Sequence, residues 1–203
     1  MASRVESLGC PADKLRVVRI AADQEGLERV RRDKAEHFLA VAAGRLIEKK
    51  GFDTAVRAFA RALRGERDAR LLITGGGELE PELRRLAAAE GITDQVVWGS
   101  RLPFVEFMGS IARSHIGLYP SRTAASGDSE GGAPVTLIEA QWLGVPSLVS
   151  DHDDLPFVAA PKGSEVLPAL DVERWAEALR ALYLDPARLD VMAREAERFA
   201  REN

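Results

Sequence analysis

Four stretches of the chain hold residues whose types and spacing could do chemistry. The first is G-R-L-I-E-K-K-G at 44–51, where Arg45 and Lys50 flank a loop that enters an apolar-periodic helix. Two cations beside a helix N-terminus suit a diphosphate; a solvated loop in an arginine-rich protein would read the same way. The second is T-G-G-G-E at 74–78, where Gly75 and Gly76 would let the backbone come close to a ligand, or simply turn. The third runs from 120 to 134, P-S-R-T-A-A-S-G-D-S-E-G-G-A-P, and is followed by V-T-L-I-E-A-Q-W-L-G-V-P-S-L-V-S. It is long and rich in small residues, which marks function or disorder rather than routine turning. From 131 to 150 only Glu139 is ionisable, where the chain-wide 30% would place about six such residues. Glu139 is therefore either part of an exposed stripe with Gln141 or a fixed acceptor for ligand hydroxyls. Gly131, Gly132 and Ala133, just before Pro134, would offer free N–H groups at the helix start, where proline at the first turn costs nothing. The fourth stretch, S-D-H-D-D-L-P at 150–156, sets His152 among carboxylates.

Three other chemistries are disfavoured by the same residues. The glycine loop fails the G-x-G-x-x-G dinucleotide fingerprint because Glu80 stands at the third glycine position. G-D-S-E-G at 127–131 matches the G-x-S-x-G nucleophile elbow, but Pro120 ends the preceding strand nine residues before Ser129 and Pro134 opens the helix five residues after it. A hydrolase elbow needs strand, serine and helix in direct succession, and its histidine would have to be His152. A metal is not expected at 151–154, since consecutive residues cannot all point inward as ligands; a capped turn or helix start accounts better for those aspartates.

These loops need elements to hold them. Short apolar runs at about 38–43, 70–74, 95–98, 115–119, 146–149 and 164–167 read as strands. Between and after them lie helical patterns at about 52–64, 79–90, 103–113, 134–144, 171–183 and 186–201. Phe52, Val56, Phe59, Ala60 and Leu63 share one helical face while Arg57, Arg61 and Arg64 take the other. Alternation of this kind predicts an α/β fold, a doubly wound Rossmann-like parallel sheet of about six strands with helices on both faces. Ligands then bind outside the carboxyl ends of the strands, where the four stretches fall. Residues 1–36 read as a linker or lead-in and 37–203 as the domain. The last helix runs out without a stop signal, so the chain is expected to belong to something longer.

Composition bounds the remaining possibilities. The 203 residues carry 28 Lys+Arg against 32 Asp+Glu, a net charge of −4, which gives no general attraction to nucleic acid or anionic lipid. A single cysteine, Cys10, excludes an internal disulfide and suits a reducing compartment. The start has no apolar leader pattern and no run approaches the length of a membrane span. A cytoplasmic protein is expected.

In this order the motifs resemble the C-terminal half of family 4 (group 1) glycosyltransferases, retaining nucleotide-sugar enzymes of the GT-B fold. The pattern G-R-L-x-x-x-K-G matches 44–51, the strand-plus-glycine segment matches L-L-I-T-G-G-G-E-L-E-P-E-L, H-I-G-L-Y-P-S matches the strand before the donor loop, and E-G-G-A-P-V-T-L-I-E-A-Q-W-L-G-V-P-S-L-V-S matches the donor helix with its two glutamates. The lead-in L-G-C-P-A-D-K-L-R-V-V-R-I-A-A-D looks like the family's interdomain linker. Three positions depart: Glu130 and Glu139 are separated by eight residues rather than seven, the G-G-x-P-E segment is replaced by Asp153, Asp154, Leu155, Pro156 and Phe157, and Ile20, Ala21 and Ala22 stand where an asparagine–glycine pair is usual. Such departures resemble a divergent branch, similar to bacterial enzymes of surface-polysaccharide assembly.

The resemblance implies a role for each residue. Arg45 and Lys50 would hold the donor diphosphate, Glu139 the ribose hydroxyls and Glu130 the transferred hexose, with backbone around Gly75, Gly76, Gly131, Gly132, Ala133 and Pro134 facing the ligand. The substrate would be a nucleoside-diphosphate sugar, with no further cofactor and no metal. The acceptor, a glycan or lipid-linked molecule, would bind a missing N-terminal domain, which in the full-length enzyme would also supply any peripheral attachment at the inner membrane face. Nucleic acid is not an expected partner. The alternative is a non-catalytic nucleotide-binding or interaction module on the same fold.

Overall fold

In the computed structural model, which describes residues 2–16, 20, 22–99, 102–130 and 134–203, the apolar runs pair as parallel strands. In chain order the elements are α1 (Ala2–Ser7), α2 (Gln24–Glu28), β1 (Phe38–Ala43), α3 (Phe52–Leu63), β2 (Ala69–Thr74), α4 (Glu80–Ala89), β3 (Val96–Gly99), α5 (Phe104–Ala112) and β4 (Ile116–Tyr119). They continue with α6 (Val135–Trp142), β5 (Ser147–Ser150), α7 (Leu155–Val158), β6 (Ser164–Leu167), α8 (Val172–Leu184) and α9 (Pro186–Glu202). The sheet order is β3-β2-β1-β4-β5-β6, all parallel.

The inner strands β2, β1, β4 and β5 are buried at almost every position because both faces are covered there, while the edge strands β3 and β6 keep exposed positions such as Val97 and Val166. Ala40, Ala42, Leu71 and Ile73 turn to one face and pack with Phe59 of α3 and Trp175 of α8. Leu39, Val41, Ala43 and Leu72 turn to the other, against Met108 and Ile111 of α5 and Leu137 of α6. Among the described residues no helix is long and apolar enough to cross a membrane.

Each expected strand is found within one residue of its expected start. Three short helices are additions, α1 (Ala2–Ser7) among them. Another is α2, capped by Asp23, whose Oδ1 accepts from the Gly26 N–H at 3.1 Å. The lead-in containing it is packed: Leu27, Val30 and Ala35 are buried on the second face, and Arg32 donates to Glu197 Oε1 at 2.8 Å. Arg32 and Arg201 also lie over the Trp142 ring, at 5.1 and 4.1 Å, joining the lead-in, α6 and α9. The third is α7. A helix does start after the aspartates, but Asp154 makes no side-chain capping bond to it.

The order of the strands decides where a ligand goes. From β1 the chain winds outward through β2 and β3, then returns to place β4 on the other side of β1. The switch point thus lies between β1 and β4, and the loop at 44–51 and the segment 120–130 flank it.

Candidate nucleotide-sugar site

The loop after β1 is shaped by contact with its neighbours. Gly51 has φ +65°, and a Cβ there would stand 1.9 Å from the Pro120 carbonyl oxygen, so the entry to α3 abuts the end of β4. Gly75, at φ +130°, would strike the Gly44 carbonyl in the same way, also at 1.9 Å. The loops after β1 and β2 are then joined by backbone bonds, Gly44 N to Thr74 O at 3.0 Å and Leu46 N to Gly76 O at 3.1 Å. Gly76 has nothing within 4 Å of a built Cβ. The glycine at 75 therefore serves loop packing, while 76 faces open space.

The structure brings two of the sequence-derived residues into direct contact. Lys50 Nζ lies 2.6 Å from Glu130 Oε1, and their side chains are only 14% and 9% exposed. The other carboxylate oxygen of Glu130 accepts from Ser121 Oγ at 3.4 Å. Arg45 sits on the same loop, exposed, with no ion-pair partner among the described residues.

Further bonds tie the 120–130 segment to the loop after β1. Glu48 Oε1 accepts from the Ala125 N–H at 2.9 Å, and Lys49 Nζ donates to Asp128 Oδ1 at 3.1 Å and to the Ser129 carbonyl at 2.9 Å. Arg122 donates to the Lys49 carbonyl through its backbone N–H, at 2.8 Å, and pairs with Asp53 at 2.9 Å. Sequence reasoning passes over Glu48, Lys49, Asp53 and Arg122. Their partners lie about seventy to eighty positions away, so no local pattern announces them. Gly131, Gly132 and Ala133 lie outside the described residues, and Pro134 caps α6 without a side-chain bond.

Glu139 is buried, at 6% exposure, and so is Gln141, at 1%. The exposed-stripe alternative for that helix is thereby removed. Gln141 holds α6 to the end of α7, since its amide donates to the Val158 carbonyl at 3.1 Å and accepts from the Ala160 N–H. Glu139 receives no hydrogen bond from a described residue. Burial pushes its carboxyl above the usual range, and the nearby Asp23 charge adds to that shift. Tyr119, at the end of β4, donates its hydroxyl to the Thr136 carbonyl at 3.0 Å. Burial, then the Glu139 charge, raises that phenol well above its ordinary value.

The hydrolase arrangement is not formed. Ser129 donates its hydroxyl to Asp153 Oδ2, and His152 Nε2, itself without a hydrogen bond, lies 3.0 Å from that same oxygen. A triad requires the imidazole between serine and carboxylate; here the carboxylate is in the middle. Elsewhere on the surface, a hollow of about 360 Å³ lies at the far end of α3. Its arginines are already matched, Arg61 by Glu173 at 2.7 Å and Arg64 by the Glu90 carbonyl at 3.5 Å, so the strand-end loops remain the candidate site.

The model of the family described as "Glycosyl transferases group 1" matches residues 23–199. The chain belongs to the group 1 glycosyltransferases. Within that family it is 32% identical over 148 residues to a GDP-mannose-dependent monoacylated alpha-(1-6)-phosphatidylinositol monomannoside mannosyltransferase of Corynebacterium glutamicum, covering 73% of this chain and 38% of that one. It is 35% identical over 152 residues to the amylovoran biosynthesis glycosyltransferase AmsK of Erwinia amylovora, covering 74% and 37%. The chain thus spans well under half the length of these relatives. Anabaena HepE, solved in complex with UDP, shares the fold at a TM-score of 0.81 with 14% identity, over 99% of this chain and 56% of that one. The resemblance drawn from the motifs and the doubly wound sheet drawn from the strand pattern both hold.

Proposed function

We propose that this chain is the donor-binding half of a group 1 glycosyltransferase that moves a hexose from a nucleoside-diphosphate sugar to a glycan or lipid-linked acceptor, with retention of anomeric configuration. The observation that carries the reading is Glu139, a buried carboxylate without a hydrogen-bond donor among the described residues, on the helix that leaves the switch point. A ribose diol supplies the two O–H donors such a group lacks.

In this reading Arg45 and Lys50 hold the diphosphate, Glu139 the ribose, and Glu130 the hexose, with backbone near Gly75, Gly76 and 131–134 facing the ligand. When the bond between sugar C1 and the phosphate oxygen breaks, negative charge grows on the departing nucleoside diphosphate. The two cations and the N-terminus of α6 stabilise that charge in a preorganised setting, in place of a metal. The acceptor oxygen bonds to C1 on the face the phosphate leaves, and its proton passes to the leaving phosphate. No covalent enzyme nucleophile is required. Polysaccharide or glycolipid assembly fits the names of both relatives, one tied to amylovoran and one to a phosphatidylinositol mannoside.

Calorimetric titration with UDP, GDP and ADP tests this. One nucleotide is expected to bind the wild type and to lose about ten- to a hundredfold in affinity in Arg45→Ala and in Glu139→Ala. Unchanged affinity in both variants would contradict the assignment.

A further inference from the structure

The residue that leads into Glu130 is held from two sides. Lys49, on the loop after β1, binds the Ser129 carbonyl at 2.9 Å and the Asp128 carboxylate at 3.1 Å. Asp153, on the loop after β5, accepts the Ser129 hydroxyl. Between these two grips the following side chain, Glu130, reaches Lys50 at 2.6 Å and Ser121 at 3.4 Å. Ser121 is fixed in turn, because its carbonyl accepts from Ser150 Oγ at 2.6 Å. By contrast, the segment's own backbone bonds are few: Ala124 N to Asp128 O at 2.8 Å and Gly127 N to Ala124 O at 2.9 Å.

Asp153 also has an unusual backbone. Among the described residues it is the one non-glycine residue with positive φ, at 47°. Glycine would occupy that conformation without strain, so keeping an aspartate there means its side chain compensates. Contacts of that side chain in the structure include the bond from Ser129 and the approach of His152 Nε2 at 3.0 Å; of these, the bond from Ser129 reaches the 120–130 segment.

We infer that Asp153 is a positioning residue that, through Ser129, holds the 120–130 segment and sets Glu130 in place on Lys50. The inference rests on the reading of Glu130 as a group facing the donor hexose. Its structural half stands without that reading.

The test uses the 203-residue chain as wild type, Asp153→Gly, Asp153→Asn, Ser129→Ala and the Asp153→Gly/Ser129→Ala double variant. Glycine accepts the positive φ, so that variant folds. Asparagine tolerates the same conformation and still offers an oxygen to the serine. Hydrogen exchange is followed at the amides of Arg122, Ala124, Ala125 and Gly127, which are bonded in the intact segment. Exchange is expected to quicken about tenfold or more in Asp153→Gly and in Ser129→Ala, with no further gain in the double variant. Asp153→Asn is expected to restore most of the protection. Exchange as slow in Asp153→Gly as in the wild type, or additive effects in the double variant, would overturn the inference.

A second arm reads the consequence for Glu130. Affinities for UDP and UDP-glucose, and for GDP and GDP-mannose, are compared in the same proteins. Loss of the positioning contact releases Lys50 from Glu130, so it is expected to leave the affinity for free nucleotide equal or higher and to lower the added affinity of the sugar nucleotide about tenfold, with recovery in Asp153→Asn. A drop shared equally by nucleotide and sugar nucleotide would indicate general loosening and overturn the positioning role. A wild type that binds none of the four compounds would sink the donor assignment, and the exchange data would still decide whether Asp153 holds the segment.

Discussion

Glu139 couples binding and stability with opposite signs. Its carboxyl takes up a proton more readily in the folded chain than in the unfolded one, chiefly because it is buried and secondarily because Asp23 is near. The folded state therefore binds more protons between the ordinary value of 4.5 and the raised one, and stability falls as pH rises through that window. Its contribution is fully present below the ordinary value and lost as pH rises through the raised one. Glu139→Gln is expected to raise the melting temperature near neutral pH, to leave it unchanged in acid, and to weaken nucleotide binding about ten- to a hundredfold. Thermal denaturation at the two pH values decides it, and a lower melting temperature of the variant at neutral pH would contradict the account. Lys50 and Glu130 make a different case. Each is the other's counter-ion in the resting site, at 2.6 Å, so a diphosphate must compete with Glu130 for Lys50. Glu130→Gln should let a free nucleoside diphosphate bind about tenfold more tightly, whereas Lys50→Ala should lose affinity and cost about 3 kcal/mol of stability by leaving a buried carboxylate unpaired. Titration and denaturant unfolding of the two variants check both signs. Equal weakening of binding in both would argue against competition.

At the scale of loops and elements, the glycines separate packing from ligand approach. Gly51→Ala and Gly75→Ala both place a methyl 1.9 Å from a carbonyl oxygen at positive φ. Neither backbone can yield without parting two loops, so each substitution should cost about 2–3 kcal/mol. Gly76→Ala meets nothing and should leave the melting temperature unchanged. If backbone at 76 faces the donor, that variant will nevertheless bind nucleotide more weakly, and unaltered affinity would remove Gly76 from the site. The sequence shows a glycine run but not which glycine packs and which stays open, because the deciding contacts come from another loop. The same reasoning separates the elements that could be read from those that could not. The strands announce themselves as apolar runs since both faces are covered. The five residues of α2 and four of α7 are too few to display a helical period. In α6, Glu139 and Gln141 look like an exposed stripe, yet one is withdrawn from water without a donor among the described residues and the other bridges to α7.

At the scale of the whole molecule, the parallel run of the strands gathers the loops of the candidate site. Each chemically suggestive motif follows a strand, so the sheet order alone gathers 44–51, 74–78, 120–134 and 150–156 at one edge. Arg45, Lys50 and Glu139 were singled out by residue type and spacing, and Glu130 through the family resemblance. Lys49, Ser121 and Asp153 were not, since their partners come from other strand ends. Both faces of the sheet have their own buried clusters, so the proposed donor site lies on a unit with its own core. A nucleotide that binds only the folded state at a hundred times its dissociation constant adds about 2.7 kcal/mol. For a domain of this size that is a rise of about 5–11 °C in melting temperature, and the rise should shrink in Arg45→Ala and Glu139→Ala. Transfer is another matter. The relatives that supply the family's chemistry are more than twice the length of the part matched here, and none of the residues assigned above is left over to bind an acceptor. The chain incubated with its preferred sugar nucleotide should therefore show the thermal shift while releasing nucleoside diphosphate slowly, at a rate that added glycan or lipid-linked acceptor does not change. Rapid, acceptor-dependent release by these 203 residues would place an acceptor site inside this half of the enzyme and overturn the division of labour argued here.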